Sequence, residues 1–270
     1  MSAGEAAAAA RTWRRFTPAQ RLARFAVYLA MVAAVVASIR HVEVIPEFLY
    51  DAPEQVRDLL ARMWPVDVAH YPAGVHDALV DTLHIATLGT LLALAMAAPV
   101  GVLAARNVVP VTAVNLAARF VLVSSRSVNS LVWALLFVAV FGPGPLAGTL
   151  AIAFRSIGFV GKLLGEALEE ADPGTIEALR AVGAPWFAVL AKGYWPQVQP
   201  AFWSVALFRW DINVRESAVL GLVGAGGIGM ALDTALNLFQ WNRVATVLAA
   251  IFIVVLAAEV AVTAIRKRVL

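Results

Sequence analysis

Apolar residues in this chain gather in long runs, not in the alternation of a half-buried strand or the single stripe of a surface helix. Residues 25–39 read FAVYLAMVAAVVASI, and comparable runs occupy 83–105, 112–141, 146–162, 197–223 and 243–266. About 20 apolar residues cross a bilayer at a rise of roughly 1.5 Å per residue. The pattern therefore predicts an all-α, polytopic membrane protein with six transmembrane helices. The run at 112–141 is too long for one upright crossing and too short for two, and SSRSVNS at 124–130 interrupts it. It is expected to be a single long, tilted or broken helix.

The polar intervals complete the plan. Residues 1–22 are alanine-rich and basic, and the first run is expected to be retained as a span instead of being removed as a signal peptide. Residues 40–82 hold eight acids against three arginines. Within them Pro53 is placed to begin a helix whose Val56, Leu59, Leu60 and Met63 recur at spacings of 3 and 4, ending near Trp64-Pro65. This is an amphipathic segment suited to a membrane surface. GPGP at 142–145 is a turn, and 163–196 is the second long polar interval. The expected organisation is residues 1–79, comprising an N-terminal cytoplasmic segment, the first transmembrane helix and a periplasmic amphipathic segment, followed by a five-helix core at 80–270. Lysine and arginine collect near the N-terminus, at Arg106, across 162–192 and in the C-terminal RKRVL. The positive-inside rule then puts both termini and the 163–196 interval in the cytoplasm of a bacterial inner-membrane protein, with Arg243 as a lone exception near an outer turn.

Composition narrows the function classes. With 61% apolar and 14% charged residues, a soluble domain is a poor fit, and a net charge of +3 (21 basic against 18 acidic residues) is too small to indicate nucleic acid. The absence of cysteine removes disulfides, a thiolate nucleophile and cysteine-ligated metal. His41, His70, His76 and His84 form no HExxH or comparable ligand spacing, and no acid–histidine constellation marks an intramembrane enzyme. GLVGAGGIG at 221–229 has neither a preceding strand nor a GKS or GKT ending, so it reads as a place for close helix approach or a bend, not a nucleotide loop. No cofactor or metal site is expected in this chain.

Two segments carry the functional signal. RWDINVRES at 209–217 places Arg209, Asp211, Asn213, Arg215 and Glu216 inside the fifth span, where an unpaired charge costs about 2.5–3.5 kcal/mol on insertion scales. Arg126 in the third span and Arg155 in the fourth are the other intramembrane candidates, while Arg119 is near enough to the cytoplasmic end to snorkel. Two readings stay open. The charges form balanced structural pairs, Asp211 with Arg215 and Glu216 with Arg126 or Arg155. Alternatively, the excess of four arginines over two acids lines a path for an anion, with the serines of 124–130 and Asn129 adding hydrogen bonds.

The second segment is EALRAVGAPW at 177–186. Asp172-Pro173 makes a helix start in which the aspartate side chain can accept from free N–H groups. Ile176, Leu179 and Val182 share one face, and Gly183 with Pro185 ends the helix. So short a helix needs packing to persist, either against the protein's own membrane body or against a separate cytoplasmic protein. Periodicity does not choose between them.

The longer stretch EALRAVGAPWFAVLAKGYWPQ resembles the EAA loop of ABC importer permeases, the cytoplasmic coupling segment that fits a cleft in the ATPase subunit. Glu177, Ala178 and Gly183 match its glutamate, alanine and glycine, and Pro196 its closing proline. Leu179 stands where a second alanine is usual, and Gly193 and Trp195 replace commoner aliphatics. The span plan and GLVGAGGIG are similar to the methionine-type and phosphonate-type branch, and RWDINVRES resembles the phosphonate permeases in particular. The resemblance covers residues 80–270. It implies a type I ABC importer permease fold and transport of phosphonate, phosphite or a related phosphorus oxyanion. It also implies coupling through Glu177, Ala178, Leu179 and Gly183, two cytoplasmic ABC ATPase subunits that bind the ATP and magnesium, a second permease copy, and an external phosphonate-binding protein. Another small substrate such as methionine or phosphate, or an ion-coupled secondary transporter, are the alternatives; a secondary transporter often carries an inverted repeat, and none is evident.

Overall fold

Without water to satisfy it, a backbone in lipid must close its hydrogen bonds within the segment, which favours helices. The structure, a computed structural model, describes residues 16–42 and 45–269, and every regular element among them is helical. The α-helices are α1 (Pro18–His41), α2 (Pro46–Met63), α3 (His76–Ala104), α4 (Thr112–Ser127), α5 (Ser130–Phe141), α6 (Pro145–Glu169), α7 (Pro173–Ala181), α8 (Trp186–Val189), α9 (Trp195–Leu220), α10 (Ile228–Asn237) and α11 (Trp241–Val269). Single π-turns at Tyr71–Val75 and Leu190–Tyr194 lead into α3 and α9.

The chain divides into two compact units, Met1–Asp58 and Leu59–Leu270. In the first, α1 is opened by a capping box: the Gln20 N–H donates to Thr17 Oγ1 at 3.3 Å and the Thr17 N–H to Gln20 Oε1 at 3.0 Å. Its length and apolar content suffice for a membrane crossing. The amphipathic α2 begins at Pro46, seven residues ahead of the expected start, and Pro53 lies inside it. A proline fits the first turn at no hydrogen-bonding cost, and Pro46 occupies that position.

In the second unit α6 packs against α3, α4, α5 and α9. Its face toward them is built of small residues, including Gly158, where an added Cβ would collide with the Leu122 carbonyl oxygen of α4 and approach the Arg126 backbone nitrogen at 3.0 Å. Both obstacles are backbone. Gly158→Val is accordingly expected to destabilise the helix pair by about 1–3 kcal/mol or more, read as a lowered thermal unfolding midpoint of the purified protein. An unchanged midpoint would mean that the α4–α6 crossing is looser than described.

Core residues fall into separate clusters, among them one with Leu122, Leu164, Ile176, Tyr194 and Phe202, another with Ile85, Ile152 and Leu220, and another with Val75, Ile228 and Val247. By length and composition α1, α3, α6 and α11 can each span a membrane. Two bent pairs raise the number to six if each counts as one span: α4 with α5, turned by 90°, and the 186–223 stretch with α10, turned by 40°. The first bend is made by the polar interruption. Val128 is extended, and the Asn129 side chain caps α5 by accepting from the Leu131 N–H at 3.0 Å. The second is made by 221–229, where Gly224, Gly226 and Gly227 all adopt positive φ and Gly229 lies against the Ala218 carbonyl. Both of the roles expected for that run, close approach and a bend, are present. Arg243 Nε lies 3.5 Å from Asp67 Oδ2.

Candidate translocation and coupling sites

The charged residues of α9 and α6 meet in the middle of the unit. Arg209 is 14 residues from the start of α9 and 11 from its end, so roughly 21 Å and 16 Å of helix separate it from the two ends. It is 4% exposed. Its Nε donates to Ser156 Oγ at 2.8 Å and its Nη2 to Glu216 Oε2 at 3.2 Å, and the guanidinium carbon sits 5.8 Å from the Phe159 ring centroid. The other Glu216 oxygen accepts from Arg155 Nε at 3.4 Å, and Arg155 Nη1 donates to the Val128 carbonyl at 3.1 Å, at the bend between α4 and α5. Glu216 thus bridges two guanidinium groups, leaving this cluster with one net positive charge. Arg215 pairs with Asp211 one turn away on the same helix. Asp211 is buried and its Oδ1 has no hydrogen-bond partner among the described residues. The Arg215 side chain is 48% exposed.

Asn213 is fully buried and joins three helices: its Nδ2 donates to Thr90 Oγ1 at 2.8 Å and its Oδ1 accepts from Ser156 Oγ at 3.3 Å. Ser156 and Thr90 each also bond back to the carbonyl four residues earlier. These two were missed by sequence reasoning, because a single hydroxyl in an apolar helix has no motif; its only signal is polarity in a run that is otherwise apolar. Of the residues singled out in the sequence, the structure brings together Arg155, Arg209, Asn213 and Glu216, sets Asp211 and Arg215 beside them on α9, and places Arg126 elsewhere. The serines of the interruption serve packing. Ser125 Oγ donates to the Phe154 carbonyl and accepts from the Gly158 N–H, and Ser127 bonds back to Val123.

The segment expected to couple lies between the C-terminal end of α6 and the start of α9. Ile176 is buried and Leu179 packs against the same core, but Val182 is 80% exposed, so the expected apolar face is shared between the body and solvent. Glu177, Ala178 and Ala181 are exposed with it, followed by Phe187. Gly183 ends the helix at φ +78°, with open space where a Cβ would be, so the requirement for glycine here is conformational. Asp172 caps differently from the expectation: its side chain makes no capping bond. Instead its N–H donates to Gln197 Oε1 at 2.8 Å and its carbonyl accepts from Gln197 Nε2 at 3.5 Å. Arg180 and the Tyr194 hydroxyl both donate to the Asn107 carbonyl, at 3.3 and 3.1 Å, and Trp186 Nε1 to the Val108 carbonyl at 3.2 Å.

Residues 97–270 match the family described as binding-protein-dependent transport system inner membrane component. The chain belongs to that family. As a permease of this kind it is a transport component and not an enzyme. Similar curated proteins include the phosphate-import permease protein PhnE of Mycolicibacterium smegmatis, 39% identical over 88% of this chain and 45% of its own length. The phosphite transport system permease protein PtxC of Stutzerimonas stutzeri is 40% identical over 74% of this chain and 72% of its own. The permease therefore spans less than half of the M. smegmatis relative. Among solved structures, an inward-facing chain of the MetNI methionine ABC transporter superposes with a TM-score of 0.62 at 23% identity, covering 73% of this chain and 96% of that one. A chain of an amino acid ABC transporter gives 0.59 at 19% identity, covering 73% and 93%. The fold is the all-α, polytopic permease fold of MetNI.

Proposed function

We propose that this permease is the membrane-spanning subunit of an ATP-driven importer for phosphonate, phosphite or a closely related phosphorus oxyanion. The observation that carries the reading is a partly exposed set of charges within apolar helices: Arg155 near the middle of α6, and Arg215 and Glu216 in the last turns of α9, with Glu216 reaching back to Arg155 and to the buried Arg209. Charges there do not face lipid; they face a watery path or a second subunit, and the guanidinium excess suits an anion. The relatives named for phosphate and phosphite transport favour the same substrate class. Methionine, carried by the structural neighbour, is zwitterionic and draws less on a net cation.

In this reading two copies enclose the path, both termini and α7 face the cytoplasm, and an external binding protein supplies selectivity. Arg126, Arg155, Arg209, Asp211, Asn213, Arg215 and Glu216 border or support the path. Two ATPase subunits, which bind the ATP and magnesium, grip the exposed face of α7 around Glu177 and Ala178, with Leu179 anchoring it beneath and Gly183 fixing the exit. Their closure draws the inner ends of α6 and α9 together and opens the path outward. Conduction requires weak binding, and a guanidinium already engaged by a carboxylate supplies it.

The test is co-purification from membranes followed by ATPase assay and uptake in proteoliposomes with methylphosphonate, phosphite and phosphate. Associated ATPase activity and ATP-dependent uptake of at least one of them are expected. Uptake without any ATP-hydrolysing companion would overturn the proposal.

A further inference from the structure

Arg126 stands apart from the cluster just described, in a cavity of about 210 Å³ between α4 and α6. The volume is far above the roughly 10–15 Å³ that one water requires. Three cations line it, Arg119, Arg126 and Lys162, together with two acids, Glu166 and Glu169. Both acids are engaged: Arg119 Nη2 lies 2.6 Å from Glu169 Oε1, and Lys162 Nζ lies 3.2 Å from Glu166 Oε1. Glu169 Oε1 also accepts from the Arg106 N–H at 3.0 Å. Arg126 is exposed and makes no hydrogen bond or ion pair among the described residues. The cavity therefore holds one uncompensated guanidinium and two cations with exchangeable partners.

Its position connects it to the cluster. Arg126 packs over Gly158, so along α6 it lies between Arg155, one turn toward the centre of the protein, and Lys162, one turn toward the coupling segment. On each helix the cations are seven residues apart, Arg119 to Arg126 and Arg155 to Lys162, which keeps them on one stripe about 10.5 Å apart. The two stripes run along the same seam and form a stepped series from the middle of the unit to its α7 end.

We propose that this cavity is an inner holding site for a small phosphorus oxyanion, with Arg126 as its fixed cation and Glu166 and Glu169 as internal competitors that keep it weak. The inference rests on the import reading above. A guanidinium presents paired donors that match phosphonate and phosphite oxygens. An ion moving inward from Arg155 meets Arg126 next, and draws Lys162 and Arg119 from their carboxylates for as long as it stays. When it leaves, the carboxylates recapture them. The acids thus act as a built-in displacing anion at the exit.

The sign of the acid effect separates this role from a structural one. With the nucleotide-free permease–ATPase complex in lipid nanodiscs, methylphosphonate binding is measured by calorimetry. Arg126→Ala is expected to weaken it about tenfold or more, the loss of a hydrogen bond to a charged group, with Arg126→Lys intermediate. Glu166→Gln with Glu169→Gln is expected to tighten binding several-fold. The inference is overturned if methylphosphonate binds no differently to Arg126→Ala, or if the double amide variant binds more weakly. Should Arg126→Ala fail to fold, the double variant decides alone. ATP-dependent methylphosphonate uptake by the unaltered complex without binding in this cavity sinks only the holding site. Binding that follows these substitutions, with no uptake of any phosphorus oxyanion, supports the holding site and sinks only the import reading.

Discussion

Glu177→Lys and Gly183→Val are each expected to remove most ATP-dependent uptake while leaving the permease in the membrane in near-normal amount. Glu177 is exposed and makes no ion pair or hydrogen bond among the described residues, so reversing its charge costs the fold little. A transport defect in that variant reports on whatever approaches from outside the chain. Gly183 has space around it but a left-handed backbone. A residue with a Cβ in that conformation costs about 1–2 kcal/mol, and more when β-branched. The strain falls on the turn after α7, not on the core, and alters the direction in which α8 departs. Uptake, membrane abundance and co-purifying ATPase should be measured together. Normal uptake by both variants would remove α7 as the point of coupling.

Arg209→Ala and Arg215→Ala are each expected to lower both stability and transport. Arg209 is buried, with its guanidinium divided between Ser156 and Glu216. Its loss leaves Glu216 with Arg155 as its remaining partner and opens a void beneath Phe159. Losing a buried hydrogen-bond partner costs about 1–3 kcal/mol, enough to show as a drop in thermal midpoint. Arg215 is half exposed, but its removal leaves the buried Asp211 without its ion-pair partner, a loss of about 1–3 kcal/mol or more. Arg209→Ala with unchanged stability would mean that the buried network contributes little to holding α6 and α9. Unchanged stability of Arg215→Ala would mean that Asp211 does not depend on Arg215 for its neutralisation.

The apolar helices were legible because lipid imposes one simple requirement, a sustained apolar run, and each expected run contains a helix or a bent pair. What hydropathy does not encode is direction. The polar interruption at 124–130 was visible, but its 90° turn depends on Asn129 capping α5 and on Ser125 reaching across to α6, which only the packed partner reveals. Pro53 looked like a helix start because proline suits a first turn; Pro46 is equally suited and the helix tolerates the second proline within it. The intramembrane charges were legible as a group, since charge in an apolar run is conspicuous, and the Asp211–Arg215 pair followed from spacing. The double engagement of Glu216 and the separation of Arg126 did not, because they depend on which helices touch. At 172–186 the start and end of the helix and the shared face of Ile176 and Leu179 were readable, while the body that this face packs against, the exposure of Val182 and the grip of Gln197 on Asp172 were not.

That grip has a mechanical meaning. Gln197 clasps Asp172 from both sides, and Arg180, Trp186 and Tyr194 all fasten on the backbone at 107–108. If α7 is the handle proposed above, these bonds leave it little slack, so that it would act less like a spring than like a crank, passing a small push to the ends of α3, α6 and α9 with little lost in bending the connecting turns.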